Sequence, residues 1–289
     1  MLRTRVLLPL VSVLLVAGLL VAQAPNTDDL ILVPVMVSDN KDVPVNSLKE
    51  ENFQVLEDNK EQKIAYFSGA GDPIIVATVL GLSARGPVTS AGQRDRISVD
   101  IMNAVERVRQ ANTGAPGAVV QSPLDSDGMF KVVSQALSDL GKQPGSRKAL
   151  VVVSDGLIAS GSSASSVQSP TALIDAAKVS RFPIYFIFTV RSLPEPALTE
   201  DSTYGTGYFL QQVAEYSGGR MIVGQIETNL DEVSTNLRNG LKNQYVLGFK
   251  TTNTAKDGKW RKLTVKVNPT AGTPKLKVSA KSRYFVPKG

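Results

Sequence analysis

Two apolar runs of this chain end in short polar segments whose side chains could do chemistry. Residues 73–80 lead into the segment 81–85, and residues 148–153 lead into the segment 154–156. The side chains of interest in these segments are Ser83, Arg85, Ser154 and Asp155. Ligands of open parallel sheets bind beyond the carboxyl ends of the strands. If both runs are neighbouring parallel strands, these side chains mark a binding edge for a polar or charged ligand.

The composition argues against most hydrolytic chemistry. The 289 residues include no histidine and no cysteine. The commonest general base, the commonest zinc ligand and every histidine-containing triad are therefore missing. Disulfides and thiolate chemistry are missing as well. Ser154 and Asp155 are adjacent, but nothing in the chain supplies the base of a triad. We therefore expect a non-catalytic protein.

The first 24 residues have the pattern of an export signal. Arg3 and Arg5 form a basic start, residues 6–21 are apolar or small, and residues 22–24 offer a cleavage site. The apolar run is shorter than the roughly 20 residues that a membrane span needs. We predict export to the periplasm or the medium. An uncleaved anchor stays open as an alternative because Pro25 is a poor residue after a cut, and membrane contact is expected only in that case.

Charge is unevenly distributed along the chain. The formal charge of +6 falls to +4 when the signal is removed. Residues 244–289 carry eleven Lys or Arg and a single acid, Asp257, which gives this segment a formal charge of +10. The rest of the predicted mature chain is therefore acidic, and the C-terminal segment is a candidate for contacting anionic partners.

Hydrophobic periodicity divides the predicted mature chain into three parts. Residues 25–71 alternate apolar and polar residues between turn signals, which predicts β-strands. Residues 72–243 alternate apolar strands with amphipathic helices, which predicts a parallel, doubly wound α/β sheet. Residues 244–289 return to strand patterns. Within the middle part, residues 204–208 are interpreted as a loop and the start of a helix.

Several segments together resemble a known family. They are Val-Pro-Val at 33–35, ENFQVLED at 51–58, RKALVVVSDG at 147–156, QYVLGF at 244–249, DGKWRKL at 257–263 and Tyr-Phe at 284–285. The combination resembles the acidobacterial family related to von Willebrand factor A-type (vWA) domains. The resemblance covers nearly the whole predicted mature chain. It implies a Rossmann-like vWA domain inserted between N- and C-terminal β segments that share one sandwich.

The resemblance also implies where a metal-ion-dependent adhesion site would lie. In the family pattern the first loop supplies Asp, Ser and Ser, the second Thr, and the third Asp. The matching positions here are Gly81, Ser83 and Arg85 on the first loop, Asp125 and Asp127 on the second, and Asp155 on the third. Gly81 has no side chain to offer, and Arg85 places a permanent cation where a divalent ion needs a neutral hydroxyl. The site is therefore expected to be degenerate.

Two interpretations of this degenerate site stay open. In one, Asp125 or Asp127 supplies the missing carboxylate, and Mg²⁺ or Mn²⁺ binds beside Asp155 and Ser83. In the other, Asp155 accepts backbone N–H bonds and pairs with Arg85, whose charge replaces that of a metal. In the second interpretation no cofactor is needed. In both, Arg85, Ser154 and Gly156 face the ligand.

A second candidate surface is basic. Lysines alternate with apolar residues in two predicted C-terminal strands, which predicts a single basic face opposite the apolar one. Its members are Lys262 and Lys266 on the first strand and Lys275, Lys277 and Lys281 on the second. One interpretation is a solvated face that discourages edge pairing. The other is a patch for anionic envelope polymers or acidic proteins. Trp260, the only tryptophan, is predicted to anchor against the sandwich core.

These patterns lead to two expectations about function. The first is an exported, non-catalytic vWA-type protein that mediates adhesion or other protein–protein contacts at the cell envelope through the strand-end loops. The second is a structural or assembly component that binds anionic envelope partners through the basic C-terminal strands. Nucleic acid is not an expected partner for an exported protein.

Overall fold

The computed structural model describes most of the chain downstream of the predicted signal. The described ranges are residues 27–41, 43–81, 91–111, 119–121, 126–154, 170–190, 200–225, 229–268 and 275–289. Within these ranges, none of the helices combines the length and the apolar character that crossing a membrane requires. The predicted signal peptide lies outside them.

Within the described ranges the chain forms thirteen strands and five α-helices in three successive parts. The first part holds β1 (Ile31–Ser38), a 3₁₀ turn (Glu50–Asn52), β2 (Phe53–Glu57), β3 (Lys60–Gln62) and β4 (Ile64–Ser68). The second holds β5 (Ile75–Gly81), α1 (Ala91–Arg109), β6 (Val119–Gln121), α2 (Ser126–Lys142), β7 (Lys148–Ser154), α3 (Pro170–Val179), β8 (Ile184–Val190), α4 (Glu200–Ser217), β9 (Met221–Gln225) and α5 (Leu230–Lys242). The third holds β10 (Tyr245–Phe249), β11 (Trp260–Val267), β12 (Lys277–Ala280) and β13 (Arg283–Phe285).

The middle part is a parallel, doubly wound domain. Its five strands lie in the order β6-β5-β7-β8-β9, and every strand pair is parallel. Side chains alternate across β7: Leu150 and Val152 pack with α2, α3 and α4, while Val151 and Val153 pack with α1 and α5. Because both faces of the sheet are covered, the strands read as continuous apolar runs. The predicted α/β fold class is confirmed.

The first and third parts together form a β sandwich. One four-stranded sheet has the order β12-β1-β10-β4 and the other β13-β11-β2-β3, so each contains strands from both ends of the chain. In the first sheet Val33 faces Leu247, and in the second Val55 faces Val265. The inner faces of the two sheets share one core cluster. The sandwich that the sequence predicted from its flanking segments is confirmed.

One local prediction differs from the structure, and one strand is buried more fully than simple alternation implies. Residues 204–208 lie inside α4 and do not form a loop. Glycine costs a helix only about 1 kcal/mol relative to alanine, and the same helix buries Leu210 and Val213 in the core. Strand β1 buries both of its faces, because Leu32 and Pro34 are covered as well as Val33 and Val35. The second face of β1 is covered by the α/β domain, against which Met36 packs.

A buried arginine joins the sandwich to the α/β domain. Arg147, immediately before β7, is only 2% exposed. One terminal nitrogen of its guanidinium donates to the carbonyls of Asp72 and Ala70, in the segment that leaves the sandwich. The other donates to the carbonyls of Leu241 (3.2 Å) and Lys242 (3.0 Å) at the end of α5. One side chain therefore satisfies carbonyls that the last turn of a helix leaves without partners.

The sandwich covers the N-terminal edge of the parallel sheet. Tyr66 of β4 hydrogen-bonds Ser146, just before β7. Gln244 donates to the hydroxyl of Tyr185, near the start of β8, at 3.2 Å. Burial raises the pKa of Tyr185, so its hydroxyl stays protonated in this contact. Since these contacts all lie where strands begin, the edge at which the strands end faces away from the sandwich.

Replacing Arg147 tests this junction. Arg147→Met should lower the free energy of unfolding by roughly 3 kcal/mol, because the carbonyls of Ala70, Asp72, Leu241 and Lys242 all lose the guanidinium as a donor. Chemical denaturation monitored by circular dichroism measures the change. Arg107→Met is the matched control, since Arg107 pairs with Asp231 at an exposed site and should cost less than about 1 kcal/mol. Equal losses in the two variants would contradict a special role for Arg147.

Candidate functional site

The candidate site is the edge at which the parallel strands end. Gly81, the last residue of β5, is the register partner of Ser154, the last residue of β7. Ser154 is in turn the register partner of Phe188 in β8. The two segments singled out in the sequence therefore leave the sheet side by side. The parallel register brings residues that are more than seventy positions apart to one edge.

A threonine from the neighbouring strand anchors the end of β7. The Thr189 hydroxyl donates to the carbonyl of Ser154 at 3.3 Å, and both residues are buried. This bond fixes the backbone immediately before Asp155. Thr189 was not predicted as part of the site. Its signal was a single aliphatic hydroxyl residue in a strand, IYFIFTV, that is otherwise apolar or aromatic.

Most of the predicted strand-end residues lie outside the described part of the chain. These are Ser83, Arg85, Asp125, Asp155 and Gly156. Asp127 falls in the first turn of α2, and the structure describes its backbone only. Ser154 is described and is 1% exposed. This burial does not fit its predicted place on the ligand face, and the residue takes part at this edge through its carbonyl, to which Thr189 donates.

The described residues at this edge do not provide the ligands of a divalent cation. Gly81 stands where the family pattern has its first aspartate, and it lies in register beside the residue that precedes Asp155. Glycine contributes no carboxylate there. Among the residues that the structure describes, no group of three or more acidic side chains is placed to hold a metal ion. Mg²⁺ usually needs one or two carboxylates in a near-octahedral arrangement.

The connections between strands and helices differ in length at the two edges of the sheet. Three adjacent strands, β5, β7 and β8, are followed by the long connections 82–90, 155–169 and 191–199. At the opposite edge, the connections that enter β7, β8 and β9 are only residues 143–147, 180–183 and 218–220, while the one that enters the edge strand β6 is residues 110–118. Connections of two to six residues are usual in α/β units, and longer ones tend to carry function. The long connections that follow β5, β7 and β8 therefore lie together at the strand-end edge.

The predicted basic face is divided between two sheets. Lys262 and Lys266 are exposed on β11, whereas Lys275 precedes β12 and Lys277 lies within it. Leu263 of β11 and Val278 of β12 both point into the shared sandwich core. The lysines between such residues therefore face away from that core on opposite sides. The prediction of a single basic face is wrong, because the two strands belong to opposite layers.

Lys281 is buried, which also corrects its prediction as part of an exposed face. It is 6% exposed, and its Nζ donates to the carbonyl of Ser180 at 3.4 Å. Its aliphatic stem lies over Gly218, where an added Cβ would come within 3.0 Å of the lysine Cβ. Gly218 also has a φ of +89°, which favours glycine. Alternation placed Lys281 on the correct side of the strand, but at this point the α/β domain covers that side.

An aromatic cluster joins the second sandwich sheet to α4. The rings of Trp260 and Tyr216 lie 5.0 Å apart, and those of Trp260 and Phe285 lie 5.4 Å apart. The Arg283 guanidinium sits 4.7 Å from the centre of the Trp260 ring, a favourable cation–π distance. Trp260 was predicted to anchor against the sandwich core. The structure instead places it in the contact with α4, outside that core.

Comparison with known proteins gives little further information. No family model matches the chain, and no curated protein matches it. Among solved structures, a von Willebrand factor type A protein from Catenulispora acidiphila is similar with a TM-score of 0.43 and 10% identity, over 91% of this chain and 75% of that chain. The fold assignment rests on the strand order and the two core layers described above. Membership in the acidobacterial family stays a prediction.

The burial of Lys281 predicts a pH-dependent stability. Burial lowers the pKa of Lys281 to about 8 from 10.5. Between these values the unfolded chain binds more protons than the folded one, so stability rises with pH. The free energy of unfolding should therefore increase by about 2 kcal/mol between pH 8 and pH 10. Denaturant titrations across this range should show the rise in the native chain and a smaller one in Lys281→Met. An equal rise in the free energy of unfolding in the native chain and in Lys281→Met would contradict this role of Lys281.

Because Gly81 lies in register with Ser154, the residue before Asp155, substitution at Gly81 should make the stability of the protein depend on a metal ion. Millimolar Mg²⁺ or Mn²⁺ should leave the Tm of the native chain unchanged. The double variant Gly81→Asp with Arg85→Ser should gain a metal-dependent rise in Tm, because two neighbouring carboxylates repel each other until a cation binds. Differential scanning fluorimetry measures both. A rise in the native chain that Asp155→Ala abolishes would contradict the prediction.

Proposed function

We propose that this protein is an exported, non-catalytic binding protein of vWA type that mediates adhesion or other protein–protein contacts at the cell envelope. Its ligand surface is the strand-end edge formed by the connections after β5, β7 and β8. Binding there does not depend on a divalent cation.

The observation that carries this proposal is the difference between the two edges of the parallel sheet. The sandwich covers the N-terminal edge through Arg147 and the contacts around it. The opposite edge carries the three long connections. Open α/β sheets bind their ligands at the carboxyl ends of the strands. In this proposal the sandwich packs against the edge where the strands begin, and the partner binds at the edge where they end.

The expected independence from metal rests on charge. Gly81 leaves the first strand end without a carboxylate, and Arg85 follows four residues later. An arginine near Asp155 stabilises the ionised carboxylate without a metal. A partner would then be recognised by paired charges and hydrogen bonds at this edge, with no shared cation between the two proteins.

A second candidate function uses the basic C-terminal segment. Lys275 and Lys277 are exposed at an edge of the first sandwich sheet, and such a row could contact an anionic envelope polymer. Lys262 and Lys266 lie on the other sheet, where Lys266 is the register partner of Gln54, so they do not extend that row. This separation makes the strand-end edge the preferred surface.

Capture from envelope extracts distinguishes the two candidates. The full chain is used as bait with and without a chelator, alongside Asp155→Arg and the double variant Lys275→Glu with Lys277→Glu. We expect a defined protein partner to be captured by the native chain and by the lysine variant, with or without chelator. Asp155→Arg should lose the partner, because it reverses the charge at the strand-end edge.

The opposite results have definite meanings. Loss of the partner in the lysine variant but not in Asp155→Arg would favour the anionic-polymer function. Loss with chelator alone would contradict metal-independent binding. The unfolding transition of each variant, measured in parallel, shows whether a loss comes from misfolding. Turnover by the native chain on a panel of hydrolase substrates would contradict the non-catalytic assignment.

A further inference from the structure

A cavity lies at the junction of the two domains, on the side of the molecule away from the strand-end edge. It has a volume of about 730 Å³, and the C-terminal ends of α2 and α3 form two of its walls. Thr27, Asp28 and Leu32 from the start of the sandwich line another side. We call it the junction cavity. Its volume is in the range of about 300–1,000 Å³ that is usual for small-molecule sites.

A buried lysine forms part of the lining. Lys148, the first residue of β7, is 9% exposed. Its Nζ donates to the carbonyl of Gly141 at 3.1 Å, and this is its only hydrogen bond among the described residues. An ammonium group has three donors. Burial lowers the pKa of Lys148, the positive charge of Arg181 lowers it further, and the carboxylate of Asp28 raises it in part. The net direction is downward, so a further anion beside Lys148 would stabilise its ammonium group.

The other cations near the cavity already have acidic partners. Lys142 pairs with Asp139 at 2.9 Å, and Arg181 pairs with Asp28 at 3.0 Å. Within the described ranges, Lys148 makes no such salt bridge. The cavity therefore has one positive charge in excess, and that charge is on its most buried cation.

Apolar side chains lie next to this charge. Leu137, Phe182 and Leu32 line the cavity together with Val179. Val179 is 52% exposed, although it is a large aliphatic residue at the end of α3. Covering it with an apolar ligand group would remove that surface from water, which is favourable at about 25 cal/mol per Å².

We propose that the junction cavity binds a carboxylate attached to a short apolar group. The carboxylate accepts hydrogen bonds from the free donors of Lys148, and the apolar group packs on Leu137, Val179 and Phe182. A single carboxylate matches the single excess charge. The carbonyls at the ends of α2 and α3 disfavour any anion, and they disfavour a more highly charged one such as phosphate more strongly than a single carboxylate. Both small organic acids and the C-terminal end of a peptide have this chemistry.

This site is separate from the proposed partner surface. The junction cavity lies where β7 and β8 begin, whereas the strand-end edge lies where they end. A partner could therefore bind at one edge while the carboxylate occupies the other, and failure of one proposal leaves the other intact.

Calorimetric titration of the full chain tests the proposal. The probes are hexanoate, its neutral counterpart hexanamide, and a short peptide that ends in leucine with either a free or an amidated C-terminus. We expect saturable binding of hexanoate, the free-ended peptide, or both, and affinity about tenfold or more weaker for the neutral counterpart of each. Lys148→Met should show the same loss, while Lys142→Met at the rim should bind as the native chain does.

The outcomes separate the sources and can overturn the proposal. Binding of hexanoate alone assigns the site to small acids, and binding of the free-ended peptide alone assigns it to peptide termini. No saturable binding of any probe by the native chain would overturn the proposal. Equal binding by native protein and Lys148→Met would also overturn it, as would equal affinity for charged and neutral probes. Should Lys148→Met fail to fold, the comparison of charged with neutral probes in the native chain still decides.

Discussion

The buried guanidinium of Arg147 is the interaction on which the arrangement of this molecule depends. It bonds the segment that leaves the sandwich and the end of α5, which leads back into it. Both chain crossings between the domains therefore converge on one side chain. Burial lowers the pKa of Arg147, yet a guanidinium remains charged in proteins. Its cost of burial is offset by several carbonyl acceptors, and these hold the two domains in one orientation.

That orientation separates the functions of the two edges of the parallel sheet. The edge where strands begin is used for the junction with the sandwich, through Tyr185, Gln244 and Lys281. The edge where strands end carries the long connections, and Thr189 fixes the backbone from which Asp155 leaves. The same junction also creates a cavity around Lys148, since the helix ends and the first strand of the sandwich do not fill the space between them.

Much of the fold could be predicted because its signals are local. Continuous apolar runs such as residues 149–153 predict strands covered on both faces, and alternation in residues 53–57 predicts a sandwich strand. The candidate site was harder to predict. Thr189 and Lys148 are polar residues in apolar strands, and the neighbouring sequence does not indicate which residues their side chains contact. Lys281 followed the alternation of its strand correctly, but alternation does not show that a helical domain covers that side.

The sequence alone determined the classes of structure and chemistry open to this protein. Its hydrophobic periodicity predicted a doubly wound α/β domain between β segments. The lack of histidine and cysteine excluded every catalytic mechanism that depends on those residues. Only the tertiary structure decided which surfaces are available. It placed the lysines of β11 and β12 on opposite layers, buried Lys281, and left Lys148 in a cavity. The physical reason is that burial depends on contacts between residues far apart in the chain, whereas local patterning reports only which side of an element a residue occupies.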